Sequence, residues 1–566
     1  MEKFSELKYE RPDAMKLRRE LNACIREMKG AADFGSADGA FLRFHEILFK
    51  AGTMYIVAQI RSNGNTKDAF YEGEMKFYNL MLPLLMPTLK KALSAALASP
   101  FRPQLEERYG AHLFKRAETQ IKLFRLSTIL PTVRENNLTT AYSKTAAGCS
   151  VEFMGEKCNF YGLLRHMQSP DREERRNAFI EWAKLYEGAS AELEAQYGKL
   201  VKLRRGIAKK LGYESYIDYI YLSRERYDYG PKEAAAFREA VRKYITPLCD
   251  KLYREQAARL GVEKLHWYDE HLSYPQGNPV PQGAPEELVE QAREMYADLS
   301  PETKAFFDFM TEHELFDLVT RENKHLGGYC TALPEYHAPF IFSNFNGTSA
   351  DIDVLTHEAG HAFQFYYASR RLPLAEQADS TSEINEIHSM SMELFTYPYM
   401  ERFFGDRADE YRYSHFCDAV KTIPYLVAVD EFQHLVFENP SSGPADWRRF
   451  WKETEQKYMP WRDYDGNGFL ESGGFWMQKQ HIFLYPFYYV DYALAQMGAF
   501  HLYRRQTETG EGWDDYLTLC GLGGQYGYFE TLERAGIPNP LDPETVKATA
   551  AFCEAQAEKL KEKAGL

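Results

Sequence analysis

The chain has 566 residues, 45% of them apolar and 27% charged, a balance that excludes a disordered or fibrous protein and points to several lobes built on large cores. With 82 Asp and Glu against 68 Lys and Arg the net charge is −14, and no long basic block is present, so nucleic acid and anionic membrane are not expected as partners. Eight scattered cysteines without a CxxC pair fit reduced cytosolic thiols, while 39 Tyr and 37 Phe supply either an aromatic core or a channel lined with phenol groups.

The first residues, MEKFSELKYERPD, are charged and lack an apolar h-region, so a cytoplasmic protein is expected. The most apolar early run, LMLPLLMPTL at residues 80–89, is expected to be broken by Pro83 and Pro87 and to be too short for a bilayer. Helix signals follow. SPDREERRNAFIEWAKLYEG predicts a helix capped by Ser169 with Pro170 at its first position. Helix follows helix near residue 195, where the chain is divided into an N-terminal helical lobe, 1–195, and a catalytic domain, 196–566. YPQGNPVPQGAPEE, residues 274–287, reads as a surface loop, and SPETKAFFDFM repeats the helix start at Ser300. The clearest strand is PFIFSNFNGT, residues 339–348. Helical spacing returns at residues 407–437, and a last helix starts at Asp542 and closes at Gly565. DYDGNG at 463–468 copies the start of a calcium loop, but its twelfth position is Gly474 where a bidentate Glu is required, so calcium is rejected. The glycine-rich stretches at 465–468, 472–474 and 521–524 read equally as loops near a site or as ordinary turns.

The chemistry lies in LTHEAGHAFQ, residues 355–364. On a helix His357 and His361, four apart, share one face about 6 Å apart and can grip one ion together. Zinc suits them, since imidazole nitrogen is a good ligand and a catalytic site needs only three protein ligands plus water. Glu358 is turned about 100° from His357, out of the coordination edge but within reach of a water beyond the metal, where a general base belongs. With 15 His and 82 acids, chance yields at most about 0.06 such HExxH matches in this length, so the motif is specific. Gln364 and Tyr367 stand where a metzincin would have Gly and His, which excludes that class. The third ligand is then a carboxylate, from Glu376 in a connector or from Glu383 or Glu386 in SEINEIHSMSMELF, a helix with Ser382 as its expected N-cap; Glu386 and Glu393 share one of its faces, and spacing does not choose between Glu383 and Glu386.

HEAGHAFQ and EIHSMSME, with the spacing between them, resemble the thimet oligopeptidase family of metallopeptidases, and within it the bacterial oligoendopeptidase F and Pz-peptidase group. KKLGYESYIDY, GGYCT, PFIFSNFNGT, QKQHIFLYPFYYVDYALAQ, GLGGQYGYFETLERAGI and RSNGNTKDAFYEGE agree, so the resemblance spans nearly the whole chain. It implies Glu386 as third ligand to one zinc ion per chain. It implies a mainly α, two-lobed ellipsoid with a deep central channel and a small β-sheet edging the cleft, cleaving internal bonds of short unstructured peptides. Zinc on His357, His361 and Glu386 would then acidify a water and polarise the scissile carbonyl, with Glu358 as base. The family's C-terminal His/Tyr cluster maps to His481 and Tyr492, with Tyr485, Tyr488 and Tyr489 as further phenols; their spacing departs by a residue from the thimet-type pattern, which leaves the choice among the tyrosines open. Phe342, Ser343, Asn344, Phe345 and Gly347, on the strand expected to edge the cleft, would offer backbone groups to an extended peptide. The competing readings are a catalytically silent peptide-binding scaffold of the same fold and a zinc exopeptidase; no GxMEN-type sequence for holding a free α-amine precedes the HExxH.

Overall fold

The computed structural model describes residues 1–325 and 327–566. The fold is mainly α, with a two-stranded and a three-stranded sheet among the described residues. It forms two compact units, each assembled from three stretches of chain: residues 1–124, 280–406 and 501–538 make the first, and 125–279, 407–500 and 539–566 the second. The division drawn near residue 195 from helical continuity falls inside one 40-residue helix, Arg172–Leu211. Compactness here comes from pairing stretches distant in sequence, which no local boundary signal reports.

Short polar side chains start many of the helices by accepting from orphan backbone N–H groups. Ser300 accepts from Thr303 N and opens Pro301–Glu312, and Asp542 accepts from Glu544 N and opens Pro543–Lys563, both as the sequence predicts. Two expected caps shift. The helix Arg172–Leu211 is capped by Asp171, whose side chain accepts from Glu173 N; Ser169 instead donates to Glu174 Oε2 at 2.6 Å. Pro170 therefore lies just outside the helix. The helix Ser382–Phe395 has Thr381, not Ser382, as its N-cap residue. The 407–437 pattern becomes Ala408–Glu438, which runs through Pro424.

In the first unit the helices Ala14–Gly30, Phe34–Gly64 and Ala69–Leu97 share a core that includes Leu21, Ile25, Phe41, Phe44, Tyr78, Met81 and Leu85. The last of these overturns the expectation of a broken run, since it continues through both Pro83 and Pro87. A proline removes one backbone bond and frees a carbonyl. Pro83 and Asn79, the residue four before it whose carbonyl is freed, lie on the exposed face, while Met81, Leu85 and Thr88 hold the inner face in the core. As a continuous 29-residue helix, with mean hydropathy 1.3 over its most apolar window, it is long and apolar enough to cross a membrane by length and composition, so a break cannot be the argument against one. Its buried Glu74 pairs with Arg11.

The two-stranded sheet, β1 (Val151–Phe153) with β2 (Glu156–Cys158), belongs to the second unit. The three-stranded sheet of the first unit contains β3 (Phe316–Val319), β4 (Tyr329–Leu333) and β5 (Ala338–Phe345) in the order β3-β5-β4. β5 pairs parallel with β3, Phe316 opposite Ile341, and antiparallel with β4, Tyr329 opposite Phe342. This corrects the assignment of residues 339–348 as the peptide-pairing edge. β5 is the central strand, hydrogen-bonded on both sides, and Phe342, Ser343 and Phe345 are buried. The near-continuous apolar run PFIF is what a strand covered on both faces carries, whereas a strand with one face in water alternates; neither pattern tells edge from centre. β4, which contains YCT of the GGYCT stretch, and β3 are the two edge strands among the described residues.

The second unit is held by buried aromatic rings: Trp182, Tyr197, Trp451 and Trp476 are fully buried, and Tyr142 stacks on Phe483 with centroids 4.1 Å apart. All eight cysteines are free thiols.

In the first unit GLGG is a packing device. Gly524 N donates to Gln377 O at 2.6 Å, and a Cβ at Gly524 would lie 2.0 Å from Asp379 O, on the connector that leads into Ser382–Phe395. Gly524→Ala must push that connector away, and the expected cost is at least the roughly 1–3 kcal/mol of ordinary overpacking. A lowered Tm by calorimetry is the expected outcome; an unchanged Tm would show that the connector yields freely.

Candidate functional site

Two helices of the first unit build the site. Ala350–Ser369 carries His357, Glu358 and His361, and Ser382–Phe395 carries Glu386. The first is anchored at its start by Asp351, whose carboxylate accepts from Asn346 N at 2.9 Å and Gly347 N at 2.7 Å. Gly347 therefore shapes the turn from β5 into the helix. The two helices cross closely because residue 360 is glycine: a Cβ there would meet Ser389 Cα at 2.6 Å and His388 O at 2.7 Å. The AG of HEAGH is thus part of the site's construction.

That crossing brings Glu386 Oε2 to 3.4 Å from His357 Nε2 and 3.5 Å from His361 Nε2. The three residues each offer one ligand atom, all within 4.8 Å of one another, so the donor set fits a metal ion. Glu376, a rival third ligand on sequence grounds, instead pairs with buried His45 at 2.9 Å. Glu383 is buried on the same helix as Glu386 but belongs to no such group. The helix crossing thus brings Glu386, and neither Glu376 nor Glu383, to the two histidines.

A further carboxylate orients the site. Glu393, about two turns along the same helix face from Glu386, has its Oε1 2.5 Å from His357 Nδ1 and leaves Nε2 to point toward Glu386. This carboxylate–imidazole pair fixes the ring and its tautomer, a recurrent support for metal-binding histidines. The shared face of Glu386 and Glu393 was legible in the sequence; the role was not, because it depends on the helix crossing. Ser389 Oγ donates to Glu386 Oε2 at 3.1 Å and steadies the same group.

The charges are strongly coupled. Burial pushes the His357 pKa down, but hydrogen bonds to Glu386 and Glu393 outweigh it and hold the ring well above its ordinary value. Burial pushes Glu386 up, and the two histidines more than reverse this, holding its carboxyl well below the usual range. Glu358 differs. Burial raises its pKa, and His357, His361 and the Cys330 backbone N–H only partly offset the rise. Cys330 stands on β4, so the edge strand and the candidate base are in direct contact. His388 is kept neutral, pushed down to about 3 by burial and by the charge of His361.

The expected phenol cluster lies in the second unit and forms around one ring. His481 has Tyr489 at 4.7 Å, Tyr485 at 5.8 Å, and Tyr488 and Tyr492 each at 6.2 Å between centroids. Tyr489 is buried at 8% exposure and Tyr485 is open at 55%, while His481, Tyr488 and Tyr492 are half-buried, the state that suits a donor facing a ligand. The segment between His481 and Tyr492 is held by three arginines that sequence reading missed, Arg204 and Arg226 buried and Arg224 half-buried. Arg226 pairs with Asp491 at 2.6 Å, both side chains fully buried, and also donates to Phe487 O. Arg224 Nε donates to Pro486 O at 2.8 Å, and Arg204 Nη2 to Phe483 O at 2.5 Å. Such arginines are recognisable only once the carbonyls they reach are placed.

Of the residues expected to grip a peptide, Phe342, Ser343 and Phe345 are core, and Asn344 Nδ2 donates to His325 O at 2.9 Å and Gly327 O at 2.8 Å, holding the approach to β4.

Known proteins share the family and the fold. Residues 4–124 match the model of the peptidase M3 N-terminal domain, and residues 165–550 that of peptidase family M3. The solved structure of PZ peptidase A with inhibitor 2 is similar over 98% of this chain and 99% of its own, with TM-score 0.93 and 41% identity. Oligopeptidase PepF of Bacillus subtilis (strain 168) is 20% identical over 91% of this chain and 79% of its own length. Oligoendopeptidase-F from Enterococcus faecium shares the fold, with TM-score 0.63, 18% identity and 97% of each chain covered.

Replacing Glu393 by Gln keeps the volume and removes the charge behind His357. A roughly 10- to 100-fold loss of divalent-ion affinity is expected, read by competition with a chelator of known affinity. Unaltered affinity with an intact fold would reduce Glu393 to a structural partner.

Proposed function

Because the chain belongs to peptidase family M3, we propose that it is a zinc-dependent endopeptidase that hydrolyses internal bonds of short, unstructured peptides. The observation that carries this reading is the convergence of His357, His361 and Glu386 beside Glu358, the residue next to the first histidine. Zinc held on those three side chains would supply a Lewis acid able to acidify a water and polarise a carbonyl.

The protein's own groups do the rest. Glu358, its pKa raised by burial, takes the proton of the attacking water on its carboxylate and returns it to the leaving amine nitrogen. Its low-dielectric surround favours that exchange, since the carboxylate is poorly solvated as an anion. His481 and Tyr492, and among the other phenols Tyr488 and Tyr489, are assigned to donate to the carbonyl oxygen as negative charge builds there. A tyrosine hydroxyl is neutral at pH 7 and does so without adding net charge. Tyr485, largely exposed, is the weakest candidate of the four.

Substrate grip passes from β5 to β4. Tyr329–Leu333 is an edge strand among the described residues, and an extended peptide paired along it would be held through main-chain bonds, which tolerate many side chains. Because the Cys330 N–H also meets Glu358, a peptide on this edge lies along the base.

Peptides blocked at both ends and quenched internally test the reading. Cleavage is expected, is abolished by a chelator and returns with zinc; an exopeptidase would spare such substrates and a silent scaffold would only bind them. Glu358→Gln should lose roughly 10²–10⁴-fold in kcat with metal content unchanged. Turnover that survives metal removal, or that Glu358→Gln leaves intact, refutes the mechanism. Tyr492→Phe should lower kcat by roughly 10²–10³-fold at constant zinc content, the usual effect of losing one donor to a developing oxyanion. An unchanged kcat removes Tyr492 from the chemistry.

A further inference from the structure

We propose that the second unit holds a second metal ion, a thiophilic dication of the zinc type, on Cys158 Sγ, His166 Nε2 and a carboxylate oxygen of Glu156. The three residues are the other group among the described residues whose ligand atoms lie within 4.8 Å of one another. Glu156 and Cys158 fall outside both family matches, which end at residue 124 and resume at 165.

The local fold explains why they meet. β1 and β2 form a hairpin with Phe153 opposite Glu156, turned by Met154 and Gly155 at φ 50° and 84°, the two positive values of a type I′ turn. Side chains two apart on a strand share a face, which puts Glu156 and Cys158 together. Asn159 ends the strand and caps the helix Phe160–His166 by accepting from Tyr161 N and Gly162 N at 3.0 Å each. That short helix returns His166 to the hairpin.

The histidine is arranged as a ligand. Its Nδ1 meets Glu174 Oε1 at 2.6 Å, and Glu174 is itself held by Ser169. Its Nε2 is buried and has no hydrogen-bond partner, so the three groups do not already satisfy one another. The same carboxylate-to-Nδ1 support stands behind His357. Arg165 holds Glu156 Oε2 at 2.5 Å, which orients the carboxylate and leaves its other oxygen for an ion. Cys158 is buried, at 3% exposure. On binding, the S–H proton leaves to solvent and a sulfur–metal bond replaces it. Thiolate, carboxylate and neutral imidazole then balance a dication. Ligand atoms of a tetrahedral zinc lie about 3.3–3.8 Å apart, so a group already within 4.8 Å closes by at most about 1.5 Å, and three protein ligands leave one position exchangeable.

Cobalt separates this site from the first, because only a thiolate gives a near-ultraviolet sulfur-to-cobalt band and His357, His361 and Glu386 contain no sulfur. The full-length protein, stripped by chelator and reloaded with Co²⁺, should show that band. It should persist in His357→Ala, disappear in Cys158→Ser, and require roughly 10- to 100-fold more cobalt in Glu174→Gln. Elemental analysis after zinc loading should give one ion fewer per chain in Cys158→Ser than in the wild type. Should Cys158→Ser not fold, Glu156→Gln at an exposed position serves, with a roughly tenfold weaker band titration expected. A wild-type protein without the band, a band that survives in Cys158→Ser, or a band titration untouched by Glu156→Gln overturns the site.

Discussion

At Gly360 the backbones of two helices come so close that a single methyl group would strike Ser389 Cα and His388 O. That approach sets the distance from Glu386 to the two imidazoles, and with it the ability of the three to share an ion. Both helices are then held from outside. Asp351 anchors the start of one, Gln364 Nε2 donates to Ala378 O at 2.7 Å, and Tyr516 OH donates to His388 O at 3.0 Å. Gly524 lets the connector into the second helix lie flat against the GLGG turn. Small residues at the contacts, with hydrogen bonds around them, give a rigid crossing where bulkier side chains would give a looser one.

Burying so many ionisable groups in one place is costly unless each has a partner. The site meets this by alternation: Glu393, His357, Glu386 and His361 follow one another as acid, base, acid, base. Glu358 is left outside the chain of pairs. It has only a backbone N–H and more distant charges to stabilise its anion, so it is the acid whose pKa rises. The same arrangement therefore holds Glu386 as an anion and raises Glu358, and the difference between the two glutamates comes from their surroundings.

In the second unit, a different device positions the aromatic cluster. The buried Arg226–Asp491 pair, with Arg224 and Arg204, satisfies main-chain carbonyls through residues 483–487, a stretch that contains Phe487 at positive φ. Arginine suits this because its planar fork reaches several acceptors at once. His481 and the tyrosines are thus presented by an irregular segment that is nevertheless tightly specified.

Helix content, the helix that carries HExxH, and the caps at Ser300 and Asp542 were legible in the sequence, because each rests on residues within a turn or two of one another. So was the strand at β5, though not its place: a run of apolar residues signals burial, and only the pairing with β3 and β4 shows that the strand is central. Pro83 and Pro87 misled because the chemistry of proline is local, while the packing that carries a helix through them is not. Spacing left Glu383 and Glu386 equal, and the crossing at Gly360 separated them. Glu393 as a partner of His357, and Arg226 beneath the aromatic cluster, belong wholly to tertiary structure. Their meaning lies in an atom that the chain brings near from 36 residues away in the one case and 265 in the other, and no periodicity extends that far.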